Sequence, residues 1–264
     1  MNLIEAVLLG IVQGLTEFLP VSSSGHLVLG QALLGIDVPG VSFEVTLHLA
    51  TLCAVLWVYR ARVVSLAVGA VRRDRPSWVY IGLLALASVP AGLAGVLGKR
   101  WFESAFGHPL YVACALIVTG FLVYSVRFTA RRAEDSVPSA TQAAWVGLAQ
   151  AGAILPGISR SGATVAAGAW RGVKPVAAAE FSFLMSVPAI LGAGVLELGD
   201  AVGPGGPGPI LLGAGFAAAL LAGVAAIHLF VRMLESGSFH RFGWYCWVAG
   251  SAYLVAAALQ PALR

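Results

Sequence analysis

The stretch QGLTEFLPVSSSGH, Gln13 to His26, places a glutamate, several hydroxyl side chains and a histidine within a sequence otherwise dominated by Leu, Val, Ala and Gly. Gln13 and Glu17 are four residues apart, so a helix presents both on one face. Pro20 ends or breaks that helix. Ser22, Ser23, Ser24, Gly25 and His26 follow, with the composition of a helix start that offers hydroxyls and backbone N–H groups to an anion. Such a polar segment inside apolar sequence is expected to face a cavity or a partner.

The surroundings set the class. Of 264 residues, 59% are hydrophobic and 11% charged, well under the share of about 25% charged residues usual for soluble domains. Six stretches, near 42–59, 77–97, 109–127, 176–199, 209–233 and 243–260, suffice to cross a hydrocarbon core that takes about 20 helical residues. Bilayer-spanning backbone must satisfy its own hydrogen bonds, and no alternating ten-residue pattern of a β-barrel is visible, so the spans are helices. Cys53, Cys114 and Cys246 all fall in these spans and serve as small packing residues rather than a disulfide framework. The N-terminus lacks a basic region, which argues against a cleaved signal peptide.

The formal net charge of +4 is a matter of topology. With the connections near Arg60–Arg75 and Arg127–Arg132 inside the cell, Arg60, Arg62, Arg72, Arg73, Arg75, Arg127, Arg131, Arg132, Arg171, Lys174, Arg232 and Arg241 are inside. Lys99, Arg100 and Arg264 are outside. This twelve-to-three asymmetry follows the positive-inside pattern and predicts both termini outside. The basic loops read as topology signals and headgroup contacts with membrane lipids, with no nucleic acid among the partners.

A second copy of the motif lies downstream. LPVSSSG, Leu19 to Gly25, aligns with LPGISRSG, Leu155 to Gly162, with one inserted residue, and pairs Ser22, Ser23 and Ser24 with Ser159, Arg160 and Ser161. A Gln-bearing apolar segment precedes each copy, and a short apolar stretch and three long spans follow it. The expected architecture is an all-α polytopic membrane protein, a single membrane domain over 1–264 with repeats 1–135 and 136–264. Three spans per half inverts the second repeat. Segments 3–19, 26–36, 141–155 and 162–172 are too short or interrupted to be ordinary spans, and are predicted to form two re-entrant hairpins whose polar tips make one internal site. The run GDAVGPGGPGP, Gly199 to Pro209, lacks the Lys-Ser/Thr ending of a phosphate loop and reads as an outside connector. RRAEDSVPSATQ reads as a polar link between the halves.

Arg160 is the sharpest chemical clue. Its guanidinium stays charged and its fork matches phosphate oxygens, with Ser159, Ser161 and Thr164 around it. Glu17 could simply neutralise Arg160 as a buried pair, and His26 could be a hydrogen-bonded structural histidine. Together, anion donors, a carboxylate and a histidine suggest phosphoryl chemistry with a divalent cation held by hard oxygens, Mg2+ or Ca2+. No Cys/His cluster has zinc spacing. His48, Glu44 and Glu180 are weaker candidates, equally able to bond helix to helix. His108, His228 and His240 lie near span ends, and Trp57, Trp78, Trp101 and Trp244 read as interface anchors.

QGLTEFLPVSSSGH and PGISRSGAT closely resemble the two signature motifs of the undecaprenyl-diphosphate phosphatases of the bacitracin-resistance type, over nearly the whole chain. The resemblance implies metal-dependent hydrolysis of a polyprenyl diphosphate lipid, undecaprenyl diphosphate, to the monophosphate and inorganic phosphate in the bacterial plasma membrane. Carried over, Glu17 binds the metal or acts as base, and His26 and Ser23 serve at the reacting phosphate. Arg160 grips the diphosphate, with Ser22, Ser24, Gly25, Ser159, Ser161 and Thr164 as binding residues. Gln13 holds the metal position where many members have Glu, so Glu17 carries more of that burden. Whether the nucleophile is Ser23, His26 or water stays open, as does a homodimer. The phosphatidic-acid-phosphatase class shares a Ser-Gly-His step, but its other signatures fail: Ala166 stands where its histidine belongs. The rival function is a lipid flippase or anion transporter, since inverted repeats with broken helices are a transporter plan.

Overall fold

The computed structural model describes residues 1–34, 41–129, 133–201 and 207–259. The two polar motifs sit on four short helices: α1 (Leu3–Phe18) and α2 (Ser23–Leu34) in the first half, α7 (Ala140–Gly152) and α8 (Arg160–Trp170) in the second. The longest of them, α1, has 16 residues, roughly 24 Å at 1.5 Å per residue, short of a hydrocarbon core. Capping boxes start α1 and α7: Asn2 with Glu5, and Ser139 with Gln142. Each reciprocal pair satisfies two otherwise orphaned backbone donors. Leu19, held extended ahead of Pro20, ends α1, as expected of a residue preceding proline.

The longer helices are α3 (Val41–Val58), α5 (Arg75–Phe106), α6 (Pro109–Thr129), α9 (Pro175–Ala201), α10 (Pro209–Glu235) and α11 (Arg241–Leu259). Five of these are long and apolar enough to cross a membrane by themselves. The sixth expected span is α3, which bends by 76° into α4 (Arg60–Val71). The basic connection after residue 59, expected as a loop, is thus largely helical. Val64, Val68 and Val71 form an exposed apolar stripe on α4, the pattern of a helix lying in the membrane interface. Residues 35–36 of the second short segment, Arg131 and Arg132, residues 202–206 of the Gly/Pro connector, residue 260 and Arg264 lie outside the described residues.

Packing joins the two halves throughout. Helix α1 packs along α10 and α7 along α5; α3 meets α10 and α9 meets α5; α6 pairs with α11 and α3 with α9. Exchanging α1 with α7, α3 with α9, α5 with α10 and α6 with α11 converts each pairing into another of the set. Between membrane helices there is little hydrophobic drive, so close contact of small residues carries the packing. A Cβ on Gly14 would lie 2.4 Å from the Ala219 carbonyl oxygen, and one on Gly120 2.9 Å from that of Gly243. Beside Glu17, an aromatic chain of Phe18, Phe183 and Phe230, with ring centroids 5.5 and 5.1 Å apart, fills the space between α1, α9 and α10.

The polar link is fastened down. Asp135 bridges to Val173, and the Gln142 amide donates to Asp135 Oδ2 at 2.6 Å and to the Arg171 carbonyl at 2.8 Å. Trp57, Trp78, Trp101 and Trp244 are all exposed, in keeping with anchors against lipid.

Candidate active site

The two tips are built alike. Ser22 precedes α2 and its Oγ accepts from the Gly25 N–H at 3.3 Å; Ser159 precedes α8 and accepts from the Gly162 N–H at 3.1 Å. Each capping hydroxyl also lies near the serine two residues on, Ser24 at 3.4 Å and Ser161 at 3.2 Å. Each tip needs one left-handed residue to turn between its helices, Ser22 at φ 66° and Gly157 at φ 93°. These two residues meet: the Gly157 N–H donates to Ser22 Oγ at 3.2 Å. A Cβ on Gly25 would lie 3.2 Å from Gly157 Cα. The Ser161 hydroxyl donates to the Leu19 carbonyl at 3.4 Å.

Where the tips touch, a cavity of about 330 Å³ opens. Thr16, Glu17, Ser22, Ser23 and Ser24 line it from the first hairpin, Ser159 and Arg160 from the second, and His48 from α3. Two helix N-termini therefore border one chamber, each contributing the positive end of a dipole. Arg160 Nη2 donates to Glu17 Oε1 at 2.6 Å. Glu17 Oε2 accepts from the Ser23 hydroxyl at 2.7 Å and from the Gln13 amide at 3.1 Å. His48 Nε2 stands 4.0 Å from Glu17 Oε2.

The Glu17–Arg160 pair is formed, as the structural reading of these residues required, but it is not self-contained. Arg160 Nη1 is buried with no hydrogen-bond partner among the described residues, and so is Gln13 Oε1. A buried charged donor left unmatched costs free energy comparable to a lost charge-assisted hydrogen bond.

The remaining expected residues divide. Ser161 and Thr164 are fully buried and are used within the protein: the Thr164 hydroxyl bonds the Arg160 carbonyl and Ser182, both at 2.7 Å. Gly25 packs tip against tip. His26 does not line the chamber. Its Nδ1 is 2.8 Å from the Ser22 carbonyl oxygen, and its Nε2 is 2.7 Å from the Tyr245 hydroxyl on α11, with the rings stacked at 5.6 Å. Of the weaker candidates, His48 reaches the chamber, with its Nδ1 2.9 Å from the Glu44 carbonyl oxygen. Glu180 pairs instead with Arg62, 3.0 Å away, and Tyr80. His108 contacts the Tyr111 ring, His240 the Tyr124 ring, and His228 its own helix at the Val224 carbonyl.

Thr119 on α6 was not legible as a site residue. Fully buried, its hydroxyl donates to the Gly157 carbonyl at 2.8 Å and accepts from the Ser159 N–H at 3.0 Å, clamping the second tip. Tyr245 also carried no motif signal.

The family model described as bacitracin resistance protein BacA matches residues 6–252. A protein of Rubrobacter xylanophilus named undecaprenyl-diphosphatase is 43% identical over 273 residues, covering 98% of this chain and 99% of that relative. Proteins with the same name from Methanobrevibacter smithii and Desulfatibacillum aliphaticivorans are 41% and 38% identical, covering 95% and 97% of this chain and 96% and 99% of theirs. With matches that run through both hairpins and the long helices of both halves, the chain belongs to the bacitracin resistance protein BacA family.

Proposed function

We propose that this multi-pass membrane protein hydrolyses undecaprenyl diphosphate to undecaprenyl phosphate and inorganic phosphate, with the chamber between the tips as its active site. The carrying observation is that both hairpin tips, Arg160 and Glu17 border a single cavity in a chain whose relatives bear that activity in their names. The packing that exchanges under a swap of halves supports one membrane domain of two inverted repeats, 1–135 and 136–264. The charge asymmetry supports a bacterial plasma membrane location with both termini outside.

Arg160 would take phosphate oxygens first on its unmatched Nη1, without giving up Glu17, and the two helix N-termini would share the remaining charge. The Ser23 hydroxyl already points its proton at Glu17 Oε2, the arrangement of a nucleophile beside its base. Ser23 Oγ would attack the terminal phosphorus as Glu17 takes its proton, the lipid monophosphate would leave, and water would then release phosphate from the serine. His26, turned towards Tyr245, is outside this set.

For a divalent cation, the fit is with hard oxygens. Glu17, which lines the chamber, would hold it, while the unpartnered Gln13 Oε1 lies one helical turn behind, fully buried and outside the chamber lining. The described residues include no group of three or more His, Cys, Asp or Glu suited to a metal, so substrate phosphates would complete the coordination, as with Mg2+. When bound, Mg2+ or Ca2+ would neutralise charge developing on the transferred phosphoryl group.

The deciding assay gives purified protein undecaprenyl diphosphate. Phosphate release that a chelator stops, that added Mg2+ or Ca2+ restores, and that Glu17→Ala abolishes supports the reading. Full activity in Glu17→Ala overturns the site, and transfer of a labelled lipid phosphate across liposomes without hydrolysis would favour the flippase.

A further inference from the structure

A second cavity, of about 490 Å³, lies between α5, α7 and α9 and shares Ala153, Ile154, Arg160 and Ala189 with the chamber. Its far wall is glycine: Gly92 and Gly95 on α5 and Gly192 on α9. A helical glycine costs about 1 kcal/mol relative to alanine, so its presence calls for a reason. None of the three has positive φ, and a Cβ on any of them would meet nothing within 4 Å. Neither backbone conformation nor close packing requires them; what they keep is empty space. Gly92, Gly192 and Val96 are exposed, so the cavity opens sideways to the lipid.

Its inner end is polar. Gln150 lines it and is only 3% exposed, yet both its amide nitrogen and its oxygen lack a hydrogen-bond partner among the described residues. Leaving both ends of a buried amide unmatched is unfavourable. Arg160, with its own unmatched Nη1, stands at the boundary of the two cavities. Gln150 lies five residues before Leu155, much as Gln13 lies six before Leu19, but no carboxylate follows it at the spacing of Glu17: Ile154 stands there. An anion therefore meets no negative charge on this side.

We propose that the lipid diphosphate straddles Arg160, with its terminal phosphate in the Glu17 chamber, its ester phosphate on the Gln150 amide, and its first isoprene units over the glycine wall. This rests on the reading of the chamber as the diphosphate site. The tail is covalently bound to the diphosphate, so its path must be an apolar space continuous with the phosphate station. The glycine-walled cavity adjoins the chamber along Ala153, Ile154, Arg160 and Ala189. A cavity of about 670 Å³ across α7, lined by Trp145, Gly152 and Trp170, shares only Ile158 with the chamber. There Arg171 is engaged over the Trp145 ring.

The test is steady-state phosphate release by the full-length protein from undecaprenyl diphosphate, with thermal unfolding followed in parallel. Gln150→Leu should raise KM about tenfold, the weight of one hydrogen bond to a charged group, with kcat within about threefold of wild type. Gly95→Phe, which fills the tail space, should also raise KM at least about tenfold while Gly95→Ala stays near wild type. Should Gly95→Phe fail to fold, Gly92→Phe makes the same test. Gly152→Phe, in the cavity across α7, should leave both constants unchanged. Wild-type KM in Gln150→Leu and Gly95→Phe, or a KM rise confined to Gly152→Phe, overturns the proposal. Arg160→Ala separates the two levels. If it is inactive while Gln150→Leu and Gly95→Phe retain wild-type KM, this inference alone fails; if it keeps full activity, the chamber reading fails with it.

Discussion

The two hairpin tips share a plan and divide the work. Both cap a short helix with a serine whose hydroxyl takes the N–H three residues on, and both turn through one left-handed residue. The second tip is anchored from outside: Thr119 ties down Gly157 and Ser159, Ser182 ties down Thr164, and α8 is buried from Ser161 to Ala169. The first tip is held through the second, by Ser22 on Gly157 and Ser161 on Leu19, and from α11, by Tyr245 on His26 at 2.7 Å and the Cys246 thiol on the Pro20 carbonyl at 3.4 Å. Its helix leaves Ser23, Ser24 and His26 half-buried. A deeply buried tip thus carries the cation, and a less buried tip carries the carboxylate and hydroxyls. The two hairpins bring opposite charges, Glu17 and Arg160, to one cavity.

The largest expected effect comes from altering the cation of the second tip. Arg160→Lys keeps the charge but loses the fork that engages Glu17 and phosphate together, and should lower phosphate release by about 10² to 10³-fold. Near-wild-type turnover in that variant would reduce Arg160 to a point charge.

Next comes the clamp. Thr119→Val keeps the volume and leaves the Gly157 carbonyl and Ser159 N–H unmatched, a loss of about 1–3 kcal/mol for each buried group. Unfolding temperature should fall together with activity, whereas Ser22→Ala, whose bonds from the Gly25 and Gly157 N–H are longer at 3.3 and 3.2 Å, should cost less, about 1 kcal/mol for each group. If Ser22→Ala is the more damaging of the two, the first tip is the more firmly held.

The smallest effect is expected at Tyr245→Phe, which removes the His26 partner without touching the chamber. Activity should remain within about threefold, under the net weight of one hydrogen bond. A loss rivalling that of Arg160→Lys would bring His26 back into the reaction.

Much of this was legible in the sequence because it is local. Repeated Ser-x-Ser-Gly steps after Leu-Pro mark both tips, and segment lengths mark helices too short to cross. What stayed hidden is long-range. Thr119 is a lone threonine in an apolar helix, and its role depends on packing against a segment about 40 residues away. The motif places His26 beside the serines, but the turn at Ser22 and the proximity of α11 send its ring to Tyr245. His48 could be weighed only as a helix-bonding or supporting residue until α3 was seen to bring it beside Glu17. The basic connection after residue 59 looked like a loop because its arginines dominate, while its Val64, Val68 and Val71 stand at helical spacing.

The most direct test of the shared chamber is a double-mutant cycle on kcat/KM with Glu17→Gln, Arg160→Gln and the combined variant. Groups that act as one unit lose function together, so the double variant should be no more than about threefold worse than the poorer single variant. Losses that multiply would show two independent residues and contradict a single site made by both tips.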